Sequence, residues 1–232
     1  MATSIPLASL YVRDDASVAQ STFIRPSLAR ITTRYDRLAR WYRLGEAAIG
    51  LPPGLRRKAV GRLDLRGGET ILEVGCGTGR NLPLLCEAVG DDGRVVGVDA
   101  SGGMLERAQH LVARRGLQNV RLMLGDATEV ALEDRVDAVL FSLSYSVLPD
   151  RQGVVSRVWE ALRPGGRLVV MDAGLPTSRL GRLLTPLGEA LATVFPGDPY
   201  SRPWEDLAQL GHAVETEWFQ FGTYFICLAR KP

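Results

Sequence analysis

The pattern of apolar and polar positions changes character at Ser27. Residues 1–24 are rich in Ser, Ala and Thr and hold no sustained helical or strand repeat, which predicts a loose N-terminal arm. Beyond Ser27, Leu28, Ile31, Tyr35, Leu38, Tyr42 and Ile49 fall on one helical stripe, with Arg30, Arg34, Arg37, Arg40 and Arg43 off it. Leu51-Pro52-Pro53-Gly54 breaks that helix, and the pattern predicts a short basic helix over Leu55–Leu63.

The central part alternates strand and helix. Strands are predicted at Thr70–Val74, Arg94–Val98, Val120–Leu124, Val136–Leu143 and Gly166–Asp172, and helices at Arg80–Val89, Gly102–Arg115 and Gly153–Leu162, with Ser101 as N-cap of the second. Val136–Leu143 is almost wholly apolar, as expected of a parallel strand covered on both faces. Residues 174–204 depart from this beat: they are rich in Gly, Pro and Ser around an apolar helical pattern, which suits a lid or substrate loop. A last helix near Trp204–Leu210 precedes strands at Ala213–Phe219 and Thr223–Ala229. The gap between these is too short for a crossover helix, so they should pair antiparallel. The expected fold is α/β: a Rossmann-like, doubly wound, seven-stranded sheet, mostly parallel with a C-terminal antiparallel hairpin and helices on both faces. One domain is expected over 25–232, with lid helices at 27–63 and an inserted lid segment at 174–204.

Charge and cysteine content narrow the class. The net charge is +2, but residues 1–66 hold 12 Lys/Arg against 5 Asp/Glu, and the remainder is acidic. A basic front half suits an acidic surface or ligand, or is a solvated helix face. Cys76, Cys86 and Cys227 show neither metal-ligand nor disulfide spacing, and no apolar run is long enough to span a membrane. A cytoplasmic protein without a metal is expected.

The chemistry concentrates in Thr70-Ile-Leu-Glu-Val-Gly-Cys-Gly-Thr-Gly-Arg80, an apolar strand running into a glycine turn that opens a helix. Gly75, Gly77 and Gly79 let the backbone turn tightly and a ligand lie against it, and the helix start favours an anion. The next strand ends in Asp99, a carboxylate suited to ribose hydroxyls. The spacing is GxGxG rather than the dinucleotide GxGxxG, because Arg80 occupies the sixth position. Glu73, just before the turn, suits a cationic amino group and not a pyrophosphate. Both details favour S-adenosyl-L-methionine over NAD.

With these residues the sequence resembles the class I S-adenosylmethionine-dependent methyltransferases over roughly residues 30–230. Glu73-Val-Gly-Cys76-Gly-Thr-Gly79, Val98-Asp99-Ala100-Ser-Gly-Gly-Met104, Leu124-Gly-Asp126-Ala127 and Leu162-Arg-Pro-Gly-Gly-Arg-Leu168 match its motifs in order. The resemblance implies that Asp99 binds ribose and that Ala100 and Met104 flank adenine. It further implies that Asp126 and the Ala127 N–H read the adenine edge, that Ser142 lies near the methionine end, and that Asn81 is among the cofactor-binding residues. Tyr35-Asp36 is similar to the paired Tyr-Asp of the ubiquinone/menaquinone and phospholipid N-methyltransferase branch, where the tyrosine closes over the cofactor. Tyr35 also reads as a core residue on an apolar stripe.

Methyl transfer needs a nucleophile held in line and water kept out, and many such enzymes need no strong base. Tyr145, just past the fourth strand at the mouth of the crevice, and Asp172, ending the fifth, are the catalytic candidates. His212 reads more readily as packing and His110 as surface; Tyr200, Trp204 and Tyr224 line a pocket or merely pack. No [DNS]PP[YF] follows the fourth strand, which argues against nucleic-acid bases as acceptors, and no acid ends it to hold Mg²⁺. Lipid-like acceptors and soluble metabolites both stay open, as does peripheral contact of the basic helix with an anionic membrane. The rival readings are a non-catalytic cofactor-binding protein and a nicotinamide dehydrogenase.

Overall fold

The computed structural model describes residues 26–40, 50–129, 135–175, 197–210 and 213–232. Helices α1 (Leu28–Leu38) and α2 (Leu55–Arg62) lead into β1 (Thr70–Val74), α3 (Leu82–Val89), β2 (Arg94–Asp99), α4 (Gly102–Arg115) and β3 (Val120–Leu124). Then follow β4 (Val136–Ser142), α5 (Arg151–Ala161), β5 (Leu162–Ala173), α6 (Pro203–Ala208), β6 (Val214–Phe219) and β7 (Tyr224–Arg230). The strands form one seven-stranded sheet of order β3-β2-β1-β4-β5-β7-β6. β1 to β5 run parallel, and β7 pairs antiparallel with both β5 and β6. The chain winds outward in both directions from the β1–β4 pair, which makes that pair the switch point where such sheets bind ligands.

Strand alternation sorts the core into two layers. Leu72, Val74, Val139, Phe141, Leu168 and Val170 point to the α5 side, and Ile71, Ala138, Leu140, Val169 and Met171 to the side of α2 and α3. Each fully buried side chain of this kind stabilises the fold by about 1.5–3 kcal/mol. Phe141→Ala, at the centre of the sheet, would cost about 3–5 kcal/mol.

The first helix ends at Leu38, short of the stripe that predicts it as far as Ile49, and the other predicted strands and helices lie within a few residues of those observed. β5 begins at Leu162 rather than Gly166, because Leu162 pairs with Val136 ahead of an irregularity that carries the register to Ala138↔Arg167. α3 begins at Leu82 rather than Arg80, since Gly79 still holds a left-handed φ of 78°. Ser101 caps α4 by accepting from the Met104 N–H. The basic charge of α2 is partly answered within the chain: Lys58 pairs with Glu217 and Arg62 with Glu215 on β6. The predicted arm, the stretch 41–49 of the first helix with Tyr42, Arg43 and Ile49, residues 176–196 of the inserted segment, and His212 lie outside the described residues.

Candidate functional site

A cavity of about 380 Å³ opens at the carboxyl ends of β1, β2 and β4. Its floor is the glycine turn, and its geometry follows from crowding. Gly75 has φ +68°, and a Cβ there would lie 2.5 Å from the Ser144 Cβ. Ser144 is held in place because its hydroxyl donates to the Val74 carbonyl at 2.6 Å, after a left-handed turn at Leu143 (φ 57°). Gly77 differs: at φ +56° a Cβ would meet nothing within 4 Å. The space above Gly77 is therefore open to a ligand, while Gly75 yields its space to the end of β4. Gly79 does not line the cavity; a Cβ there would strike Leu82 at 2.8 Å and Ala108 at 3.2 Å, so its place is under the α3–α4 packing.

The predicted cofactor residues Tyr35, Glu73, Gly75, Cys76, Gly77, Asn81, Asp99, Ala100, Met104, Asp126, Ala127 and Ser142 all line this one cavity. Asp99 accepts from the Gly77 N–H at 2.7 Å and the Ser101 N–H at 2.9 Å, so it also shapes the turn. Burial raises its pKa against those donors. Asp126 accepts from the Thr128 N–H at 2.8 Å, which fixes the loop carrying Ala127. Burial pushes the Cys76 thiol well above its usual range, so it stays protonated as a packing group.

Glu73 is the electrostatic centre of the site. It is 1% exposed, accepts from Asn81 Nδ2 at 2.5 Å through Oε1, and its Oε2 has no hydrogen-bond partner. Burial raises its pKa to about 7, against the Asn81 hydrogen bond and the nearby Arg56. An orphaned carboxylate oxygen buried beside an open cavity is costly unless a cationic donor meets it. A sulfonium amino acid joined to a nucleoside supplies an ammonium for Glu73, hydroxyls for Asp99 and an adenine for the Met104–Ala127 wall, so the residues present fit S-adenosylmethionine.

The two predicted catalytic groups do not line the cavity. The sequence places Tyr145 at the mouth of the crevice. The structure instead turns it inward, because the Leu143 turn and the short 3-10 helix Tyr145–Val147 aim its ring at Phe141, 5.5 Å away and edge-on. Its hydroxyl donates to Asp206 at 2.7 Å, and burial together with that carboxylate raises its pKa strongly. Asp172 is buried beneath the same turn. It accepts from the Ser146 N–H at 2.8 Å, the Ser146 hydroxyl at 3.2 Å and the Ala173 N–H at 2.8 Å. Tyr224 is buried, Trp204 packs edge-on against Trp218 and Phe225, and Tyr200 and His110 are exposed. Among the described residues no cluster of His, Cys, Asp or Glu is placed to hold a metal.

Two site residues were not singled out from sequence. Arg56 on α2 reaches into the cavity, donating to Ser142 Oγ at 2.8 Å and Asn81 Oδ1 at 3.2 Å. Asp36, beside Tyr35, accepts from the Ser101 hydroxyl at 2.5 Å and the Gly103 N–H at 2.9 Å, clasping α1 to the start of α4. The basic run and the Tyr-Asp pair were visible signals, but only the packing says which member turns inward.

Residues 71–166 match the family described as methyltransferase domain. Demethylmenaquinone methyltransferase of Oceanobacillus iheyensis is 33% identical over 123 residues, 53% of this chain and 52% of that one. Aklanonic acid methyltransferase of a Streptomyces strain is 40% identical over 102 residues, 44% of this chain and 46% of that one. The chain thus spans about half the length of these curated relatives. In fold it is similar to a SAM-dependent methyltransferase from Aquifex aeolicus, with TM-score 0.61 and 23% identity over 77% of this chain and 93% of that one. Residues 71–166 thus match a methyltransferase domain, and the chain shares its fold with a SAM-dependent methyltransferase.

Proposed function

We propose that this chain is an enzyme that moves a methyl group from S-adenosylmethionine to a small organic acceptor by in-line displacement. The observation that carries the reading is the buried, unpartnered Oε2 of Glu73 beside the open space over Gly77. When bound, the cofactor supplies a methyl carbon already activated on sulfur. The chain's own part is to hold and to exclude. Glu73 and Asp99 grip the two polar ends, Met104, Ala127 and Tyr35 wall the nucleoside, and Leu28 and Ile31 on α1 keep water from the cavity. Holding two reactants at near-attack geometry is worth about 7–11 kcal/mol. No proton-transfer role is assigned to Tyr145 or Asp172, whose partners turn them towards the scaffold.

The similarity to demethylmenaquinone and aklanonic acid methyltransferases supports a small organic acceptor of quinone or natural-product kind. One observation favours delivery from a lipid surface: Arg30, Arg34 and Arg37 are exposed on α1, the helix whose other side lines the cavity. In this reading α1 acts as a lid. Calorimetry with S-adenosylhomocysteine tests the cofactor assignment: wild type should bind, and Asp99→Ala should lose about 1.5–3 kcal/mol. Unchanged affinity in Asp99→Ala would contradict the assignment. Sedimentation with anionic vesicles tests the surface reading, which requires salt-sensitive binding.

A further inference from the structure

We infer that the carboxyl edge of the sheet docks flat on an anionic lipid surface, held by Leu124, Tyr200 and Phe221 together with the basic side of α1. This rests on the surface reading above and deepens it, by naming the face that meets the lipid and the side chains that enter it.

Among the described residues, the large apolar side chains left exposed are Leu124 (65%), Tyr200 (36%) and Phe221 (69%). They are far apart in sequence, yet all three stand on one edge of the sheet. Leu124 ends β3, in register with Asp99 at the carboxyl end of β2. Phe221 sits in the turn beyond the Phe219↔Tyr224 pair of β6 and β7, and Tyr224 lies beside Ala173 at the carboxyl end of β5. Tyr200 follows Pro199, whose carbonyl accepts from the Leu175 N–H at 3.1 Å, just past that end. α1 covers the cavity at the same edge through Leu28, Ile31 and Tyr35, and its Arg30 and Arg37 are exposed. The opposite edge differs. Around the amino ends of β1 and β4 it exposes Asp64, Arg66, Arg163 and Arg230, charges of both signs.

The backbone under Phe221 points the same way. Gln220 and Phe221 both hold left-handed φ, 45° and 58°, which glycine would adopt at less cost. The turn is fixed nonetheless: the Thr223 N–H donates to the Gln220 carbonyl at 3.1 Å, and the Gly174 N–H to the Thr223 carbonyl at 2.8 Å. A strained, fixed turn that sends a phenyl ring into solvent does nothing for the core; it fits a ring that is buried against something outside the chain. Lys58, whose ammonium lies 4.6 Å from the centre of the Phe219 ring, brings a cation beside the same turn. The span selects the occupant. Leu124 and Phe221 stand at opposite ends of a seven-stranded sheet, about 25 Å apart at about 4.8 Å per strand spacing. Single apolar tips so far apart make no groove for a peptide. They suit a broad plane, where rings and aliphatic tips enter the acyl boundary and arginines stay among anionic headgroups. In that orientation the cavity opens towards the lipid, and an acceptor dissolved in it need not cross water.

Sedimentation with vesicles of equimolar phosphatidylcholine and phosphatidylglycerol tests the apolar contacts apart from the charges. Phe221→Ser is expected to weaken vesicle binding about tenfold and Leu124→Ser about 3- to 10-fold, while Phe221→Trp retains it. Circular dichroism and the urea midpoint, unchanged at these exposed positions, serve as fold controls. Salt-sensitive wild-type binding that both serine variants leave unchanged overturns the inference and leaves the surface reading standing on α1 alone. A wild-type dimer in sedimentation velocity that Phe221→Ser dissociates assigns the tips to a second copy of the chain and likewise overturns it. Wild-type protein that binds no anionic vesicle removes the surface reading itself, and the inference with it.

Discussion

Glu73 and Asp172 are both acids at the carboxyl edge of the sheet, 1% and 2% exposed, on β1 and β5. Burial raises both pKa values, to about 7 and about 6. Their partners separate them. Asp172 has both oxygens answered, one by the Ser146 N–H and the other by the Ser146 hydroxyl and the Ala173 N–H. Glu73, which lines the cavity, has one oxygen answered by Asn81 and one buried without a partner. Burial and a shifted pKa therefore do not distinguish a binding acid from a structural one; the unfilled hydrogen-bond position does.

The sharpest way to break this comparison is to neutralise Glu73. An acid whose pKa climbs from 4.5 to about 7 on folding is a net cost when ionised, absent below pH 4.5 and complete above pH 7. Glu73→Gln should therefore raise stability against urea at pH 8, by at most about 3 kcal/mol. The same variant should lose about 1.5–3 kcal/mol of S-adenosylhomocysteine affinity. Stability gained together with binding lost is the signature of a group kept for function. Asp172→Ala should do the reverse. It strands the Ser146 and Ala173 N–H groups, costing about 2–3 kcal/mol of stability in urea, with cofactor affinity in the folded protein unchanged.

Acidity sharpens the contrast further. The ligand's ammonium needs ionised Glu73, so affinity should fall as pH drops from 8 to 6, approaching about tenfold per unit below the pKa. In Glu73→Gln the slope should vanish. The smallest effect belongs to the clasp of α1. Asp36→Ala removes the acceptor for the Ser101 hydroxyl and the Gly103 N–H. It should cost about 1 kcal/mol of stability and speed cofactor release in stopped-flow displacement.

Much of this architecture was legible along the chain. Strands such as Val136–Ser142 announce themselves because a parallel strand buried on both faces must be apolar throughout. The glycine turn announces itself because left-handed φ at three alternating positions leaves few alternatives to Gly. The inward turn of Tyr145 was not legible: it follows from Leu143 taking a left-handed conformation, which a leucine rarely does and no pattern encodes. Nor was the choice of Arg56 among Arg56, Arg57, Lys58 and Arg62. That choice depends on α2 docking on β6 through Lys58–Glu217 and Arg62–Glu215, pairs far apart in sequence. Local pattern reports the elements, whereas which side chain faces a cavity is decided by contacts between them.

The central claim is that Glu73 takes up a cationic amino group when the nucleoside enters the cleft. Titrating wild-type protein with S-adenosylhomocysteine at pH 7, in two buffers of different protonation heat, counts the protons exchanged. With Glu73 near its midpoint before binding and fully ionised after it, saturable binding with release of about half a proton is expected. No saturable heat, or the same heat in both buffers, would contradict the account.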